Sequence, residues 1–222
     1  MSNDNWIPFF FFGIVITLTI SIVLWAARYS RKRTEEFVRI AQQLGFSFLG
    51  DKWPGPVLAP AHKTCVIQRT RGKFHNVMMG SSGGLAVTLS DYTYRMGKST
   101  VTLTLTSFTH DQHLPPFELR AENIFDRIGE AFSHRDIDFD SNPDFSRRYF
   151  LRSPDEASTR SLFTTGLLSY FEQIPRDKKW HIESSAHTLI LYRYVQMIKA
   201  AEIPSLLDES SAIARTILSA AR

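Results

Sequence analysis

Cysteine is almost absent: Cys65 is the single thiol among 222 residues. An intrachain disulfide framework and a multi-cysteine zinc site are therefore excluded. Lysine and arginine are missing from the first 27 positions, and no residue of either charge lies between Trp6 and Ala27. Eleven glycines and ten prolines are too few for a collagen-like or low-complexity chain. With 43% hydrophobic and 22% charged residues, wholesale disorder is excluded as well.

The uncharged stretch is the most informative feature. WIPFFFFGIVITLTISIVLWAA occupies residues 6–27. At the helical rise it spans about 33 Å, against a hydrocarbon core of about 30 Å. Thr17, Thr19 and Ser21 are its only polar residues, and their hydroxyls can bond back to the preceding turn. Trp6 and Trp25 flank it as membrane-interface anchors, and Pro8 falls in the first turn, where a missing N–H costs little. A cleaved signal peptide would carry a basic leader and a shorter apolar core. Here the leader is MSNDN, and the basic residues follow the apolar run as Arg28, Arg31, Lys32 and Arg33. The pattern predicts a transmembrane helix over 6–27. The positive-inside rule places residues 1–5 outside and the rest in the cytoplasm, with the four basic residues at the lipid headgroups.

All 26 basic residues and all but one of the 22 acidic residues (Asp4) lie beyond the span. Setting aside the four basic residues at 28–33 leaves an excess of one positive charge. The domain proper is nearly neutral, so no nucleic-acid partner is expected.

Residues 28–50 read as a basic juxtamembrane amphipathic helix. Its ordered part is 34–45, with Phe37, Ile40, Ala41 and Leu44 on one face, Thr34 as cap and Gly45 as terminator. Pro54, Pro56 and Pro60 mark a connector over 51–63, and residues 64–222 form the cytoplasmic domain. Strands are expected at 64–70, 74–79, 85–94 and 100–108. In the last of these, Val101, Leu103 and Leu105 alternate with Thr102, Thr104 and Thr106. Pro115 and Pro116 are expected to end the sheet. A helix at about 121–132, a strand at 147–152 and a helix over 153–174 follow, the last capped by Ser153, Pro154 and Glu156. A hairpin (180–183 and 188–194) and a closing helix over 203–220 complete the chain. The order predicts an α+β class: a mostly antiparallel sheet with helices packed on one face.

No catalytic residue is assigned, and neither cofactor nor metal is expected. His110 and His113 supply two metal ligands at most, where a site needs three or four. Asp136, Asp138 and Asp140 fall on one side of an extended segment, but Ser141 and Arg147 stand where an EF-hand needs glycine and glutamate. They read as the solvated face of an edge strand. The run Gly80–Gly84 lacks the lysine of a phosphate-binding loop and precedes a strand, so it reads as a hairpin turn. Cys65 follows an apolar strand pattern and reads as a buried thiol. Three basic groups stand at turns: Arg69, Arg71 and Lys73; Arg147 and Arg148; Arg176, Lys178 and Lys179. Each is a solvated turn unless the fold brings one to the membrane-facing side, where it would add to the 28–33 cluster and fix the domain's orientation.

The layout of one N-terminal span, RKRTEEFVRIAQQLGF, NVMMGSSGGLAVTLSDYTYRMG, LPPFELR and WHIESSAHTLILYR resembles a group of uncharacterised bacterial single-pass membrane-anchored proteins. That resemblance implies an inner-membrane location and no activity. The expectation is a membrane-anchored cytoplasmic module that binds a protein partner or a ligand; the alternatives are a membrane-surface enzyme and a lipid-binding domain.

Overall fold

A computed structural model of the chain describes residues 7–54, 72–121, 136–193 and 197–222. Its first element is one helix, α1 (Ile7–Leu44), of 38 residues and about 57 Å. The chain then reverses at Gly45 (φ 70°) into β1 (Ser47–Gly50). The remaining strands are β2 (Lys73–Ser82), β3 (Leu85–Met96), β4 (Ser99–Ala121), β5 (Tyr149–Arg152) and β6 (Trp180–Arg193). Between and after them come α2 (Pro143–Arg148), α3 (Glu156–Leu162), α4 (Thr165–Gln173) and α5 (Ile203–Ala220). The fold is α+β: a six-stranded antiparallel sheet with helices packed against it.

The sheet is organised by β4. Its first half pairs with β3 on one side, its second half pairs with β5 on that side, and β6 runs along the other. β2 and β3 are joined by Gly83-Gly84, both at positive φ, as a two-residue turn between right-twisted strands requires. β3 and β4 are joined by Gly97-Lys98, with Gly97 at φ 62°.

One face of the sheet carries Met78, Leu89, Phe108, Leu119 and Leu191 against Phe37 and Ile40 of α1, Phe171 of α4 and Ile213 and Ile217 of α5. Each such side chain contributes about 1.5–3 kcal/mol by leaving water. The opposite face carries Tyr92, Tyr94, Leu103, Leu105, Ile190 and Tyr192, with Trp53 and Phe74 packed against them. Trp53, Phe74, Tyr92 and Tyr94 form a ladder of rings 4.2, 4.8 and 5.8 Å apart. The tyrosine pair is buried.

Several expectations are corrected. No break separates the apolar stretch from the amphipathic one: Thr34 lies mid-helix, its hydroxyl donating to the Ser30 carbonyl rather than capping. Pro115 and Pro116 do not end the sheet. They sit where the β4 register shifts, between Leu114 and Phe117, so no ladder N–H is asked of them. The segment read as a hairpin at 180–194 is the single strand β6, which absorbs an irregularity at Ala186 (φ 49°) opposite the one in β4. The helix read over 153–174 is two helices, α3 capped by Asp155 and α4 capped by Thr164. Ser153 instead donates to the Pro116 carbonyl. Residues 136–139 are not a strand, although Asp136 Oδ1 accepts from the Leu151 N–H and the Ile137 N–H donates to the Leu151 carbonyl along β5. The expected strand 64–70 with Cys65, and the expected helix after Ala121, lie outside the described residues.

Candidate functional site

Three clusters of polar side chains stand out, and the first lies where α1 meets the sheet. Arg33 is 7% exposed and Asp91, on β3, is 2% exposed. Arg33 donates from Nε and Nη2 to the two carboxylate oxygens of Asp91, both at 2.7 Å. Asn76 Nδ2 (2.9 Å) and Thr104 Oγ1 (2.8 Å) donate to the same carboxylate. Asn76 reaches it from an irregularity in β2, at φ 53°, and accepts from Thr34 of α1. Thr104 accepts in turn from the Ile198 N–H. The Arg33 guanidinium lies 4.9 Å from the Phe37 ring. A fork-shaped cation fully engaged by a carboxylate fixes both distance and rotation, so this network locks α1 to the sheet.

Arg33 therefore departs from the headgroup role expected of it. Helical spacing explains why: it shares a face with Phe37, Ile40 and Ala41, which are buried, whereas Arg28, Arg31 and Lys32 point to the exposed side. Arg31 makes only an exposed pair with Glu35, at 3.5 Å. Trp25 is 68% exposed and stacks on Tyr29 at 5.9 Å. Trp6 lies outside the described residues. Between Ile14 and Lys32 every side chain of α1 is exposed, and the helix is long and apolar enough to cross a membrane.

The second cluster is on the other face of the sheet. Glu118, His181, Glu183 and Tyr192 are all buried. His181 Nε2 lies 2.9 Å from Glu118 and 3.7 Å from Glu183. The Tyr192 hydroxyl donates to Glu183 at 2.7 Å, and Arg152 Nε donates to Glu118 at 2.6 Å. Burial alone would raise the Glu118 carboxyl; the hydrogen bonds and charges of His181 and Arg152 outweigh it and hold the group below the usual carboxylate range. An acid, an imidazole and a phenol meet here, but they are spent on one another inside the sheet. The arrangement is that of a buried polar network crossing β4, β5 and β6.

The third cluster gathers two of the basic groups that the sequence left apart. Arg147, Arg148, Arg176 and Lys179 line a recess of about 130 Å³ with Ala121, Tyr149 and Pro175. Arg148 is held in place: its two terminal nitrogens donate to the Glu172 and Ile174 carbonyls. Arg147 pairs with Asp144. Lys179 is carried into place at φ 44°, a left-handed residue at the end of the turn after α4. Lys178 turns away to Glu209, and Lys73 sits on β2. A recess of this size and charge suits an oxyanion or a carboxylate presented by a partner.

These three clusters sit on a fold that has been seen before. The chain is similar to the crystal structure of the mycobacterial trehalose monomycolate transport factor A, TtfA. The TM-score is 0.50 at 13% identity, covering 87% of this chain and 96% of that one. The likeness is one of fold. No protein-family model and no curated protein matches the chain.

The remaining sequence candidates are accounted for locally. His110 and His113 flank His187, with ring centres 6.4 and 5.6 Å from it, where β4 and β6 are both irregular. Among the described residues no three metal-capable side chains converge. His110 also lines a recess of about 720 Å³ between Gly83-Gly84 and the last turn of α5, and burial lowers its pKa. Gly80-Ser81-Ser82-Gly83-Gly84 spells the GxSxG of a nucleophile elbow, with Ser82 at the centre, a match missed in reading the sequence. An elbow needs a strand-to-helix turn. Ser82 ends a hairpin strand instead and accepts a hydrogen bond from Ser211 at 2.8 Å.

The Arg33–Asp91 clamp had a sequence signal of its own: an arginine on the apolar face of an amphipathic helix needs a buried acid, and Asp91 is the one acidic residue of β3. The Glu118–His181 cluster had none, because its members come from strands 63 residues apart.

Proposed function

We propose that the chain is a membrane-anchored, non-enzymatic docking module. Residues 6–27 cross the bilayer, residues 1–5 lie outside and the domain is cytoplasmic. Trp6 and Trp25 anchor the span at its two interfaces, and Arg28, Arg31 and Lys32 contact anionic headgroups. The observation that carries this reading is the continuity of α1. A single helix is exposed and apolar along its first part, yet is bolted to the sheet by Arg33 and Asp91 further on. A soluble enzyme has no use for a largely apolar helical stretch, exposed from Ile14 to Lys32, joined rigidly to its core. A module that must present one face at a fixed height above a membrane does.

The face on offer to a partner is the basic recess of Arg147, Arg176 and Lys179, which fits an acidic side chain of a protein at the membrane. Its fold likeness to a trehalose monomycolate transport factor supports a place beside lipid-transport machinery. Membrane fractionation of the full chain with reporters at either end tests the anchor. The expected result is retention in the pellet after alkaline extraction, release by detergent and a C-terminal reporter active only in the cytoplasm. Recovery in the detergent-free supernatant, or a C-terminal reporter active only outside, would overturn the reading.

A further inference from the structure

One hairpin lies at the level of the expected membrane interface. α1, β1 and β2 follow one another by reversals: β1 is antiparallel to β2, so β2 runs alongside α1 in the same direction. Two contacts fix this alignment, Thr34 with Asn76 near the start and Phe46 over Gly80 near the end. β3 is antiparallel to β2 and so runs back towards the N-terminal part of α1. From Asp91, which meets Arg33, the strand continues six residues to Gly97, about 20 Å. Along α1, Trp25 stands eight residues before Arg33, about 12 Å. The Arg33 side chain leans towards the helix N-terminus, which lowers the strand further. An inclination between strand and helix of up to about 45° still brings the β3–β4 turn to the height of Trp25 and Tyr29.

The turn has the composition of that environment. Arg95, Met96, Gly97 and Lys98 are all exposed. Outside α1, the exposed large apolar side chains among the described residues are Met79 and Met96, and Met96 is the more exposed at 48%. No acidic residue occurs between Asp91 and Asp111. A methionine flanked by two cations at the tip of a rigid hairpin is suited to the boundary between headgroups and acyl chains.

We propose that the β3–β4 hairpin is a second membrane contact, Met96 entering the bilayer interface while Arg95 and Lys98 engage lipid phosphates. This rests on the membrane-anchor reading given above. The test uses the full chain with its lone cysteine replaced, Cys65→Ser, and one new cysteine: Met96→Cys at the tip, or Asp177→Cys at the other end of the domain. Each is labelled with an environment-sensitive fluorophore and reconstituted in vesicles of phosphatidylethanolamine and phosphatidylglycerol carrying headgroup spin labels. The expected result is quenching at position 96 at least about threefold that at 177, reduced to near the 177 level by Arg95→Glu with Lys98→Glu. Equal quenching at the two positions, in chains that float with the vesicles, would overturn the hairpin contact and leave the anchor standing. Chains that fail to float would overturn both.

Discussion

Replacing Asp91 by leucine removes the acceptor of four donated hydrogen bonds and leaves the Arg33 guanidinium in a site that is 7% exposed. Breaking a buried pair on one side costs about 3–5 kcal/mol, mainly because the other charge remains buried and unpaired. Arg33→Met, which leaves Asp91 with Asn76 and Thr104, should cost a comparable amount. Arg33→Met with Asp91→Leu removes both charges and keeps the volume, so most of the loss should return. A double-mutant cycle on the full chain in detergent, followed by denaturant unfolding, should then give a coupling energy of about 3 kcal/mol. The exposed Arg31–Glu35 pair provides the control, since its removal should change stability by less than about 0.5 kcal/mol. A coupling between Arg33 and Asp91 as small as the control's would refute the clamp.

Three further outcomes are expected. Glu118→Gln should cost about 3 kcal/mol at neutral pH. The folded-state pKa of Glu118 lies below its ordinary 4.5, so its contribution is present above that value and lost as pH falls through the folded one; the gap to wild type should narrow in acid, and a constant gap would contradict the assignment. Gly80→Val would put a branched side chain into the Phe46 ring, which packs on that glycine, and should destabilise by about 1–3 kcal/mol in thermal unfolding, whereas Ser81→Val on the same strand should be near neutral. His110 should titrate by NMR with a midpoint below 6.5, because burial disfavours its cation; a midpoint above 6.5 would mean that the Gln112 backbone hydrogen bond and Asp111, not burial, govern the ring.

What the sequence disclosed follows the range of the interactions concerned. The helical character of the apolar stretch, the alternation in Val101–Thr106, the glycine turns and α5 depend on neighbours in the chain, and they were read correctly. The misreadings share one cause. Pro115-Pro116 and Ser184–His187 look like breaks locally, but each sits at a register shift whose partner is an irregular stretch in the facing strand, so both strands continue. The capping box at Ser153 was outcompeted because the hydroxyl found the Pro116 carbonyl on a different strand. Of the site residues, Arg28, Arg31 and Lys32 lie on the exposed side of α1. Arg33 does not, and this was not legible, because a basic cluster gives no hint which member turns inward until the apolar face of the helix is traced back one turn beyond Phe37.

From Ile14 to Leu44 the helix contains neither proline nor glycine, so it has no kink point between its apolar part and the clamp. Embedded as proposed, it would act as a lever. The stretch from Trp25 to Leu44 is about 29 Å long, and a tilt of about 20° would carry its far end some 10 Å sideways, roughly the width of a helix with its side chains. Bilayer thickness and lateral neighbours of the span would thereby become mechanical inputs to the domain, and the β3–β4 hairpin would serve as an outrigger that limits the swing.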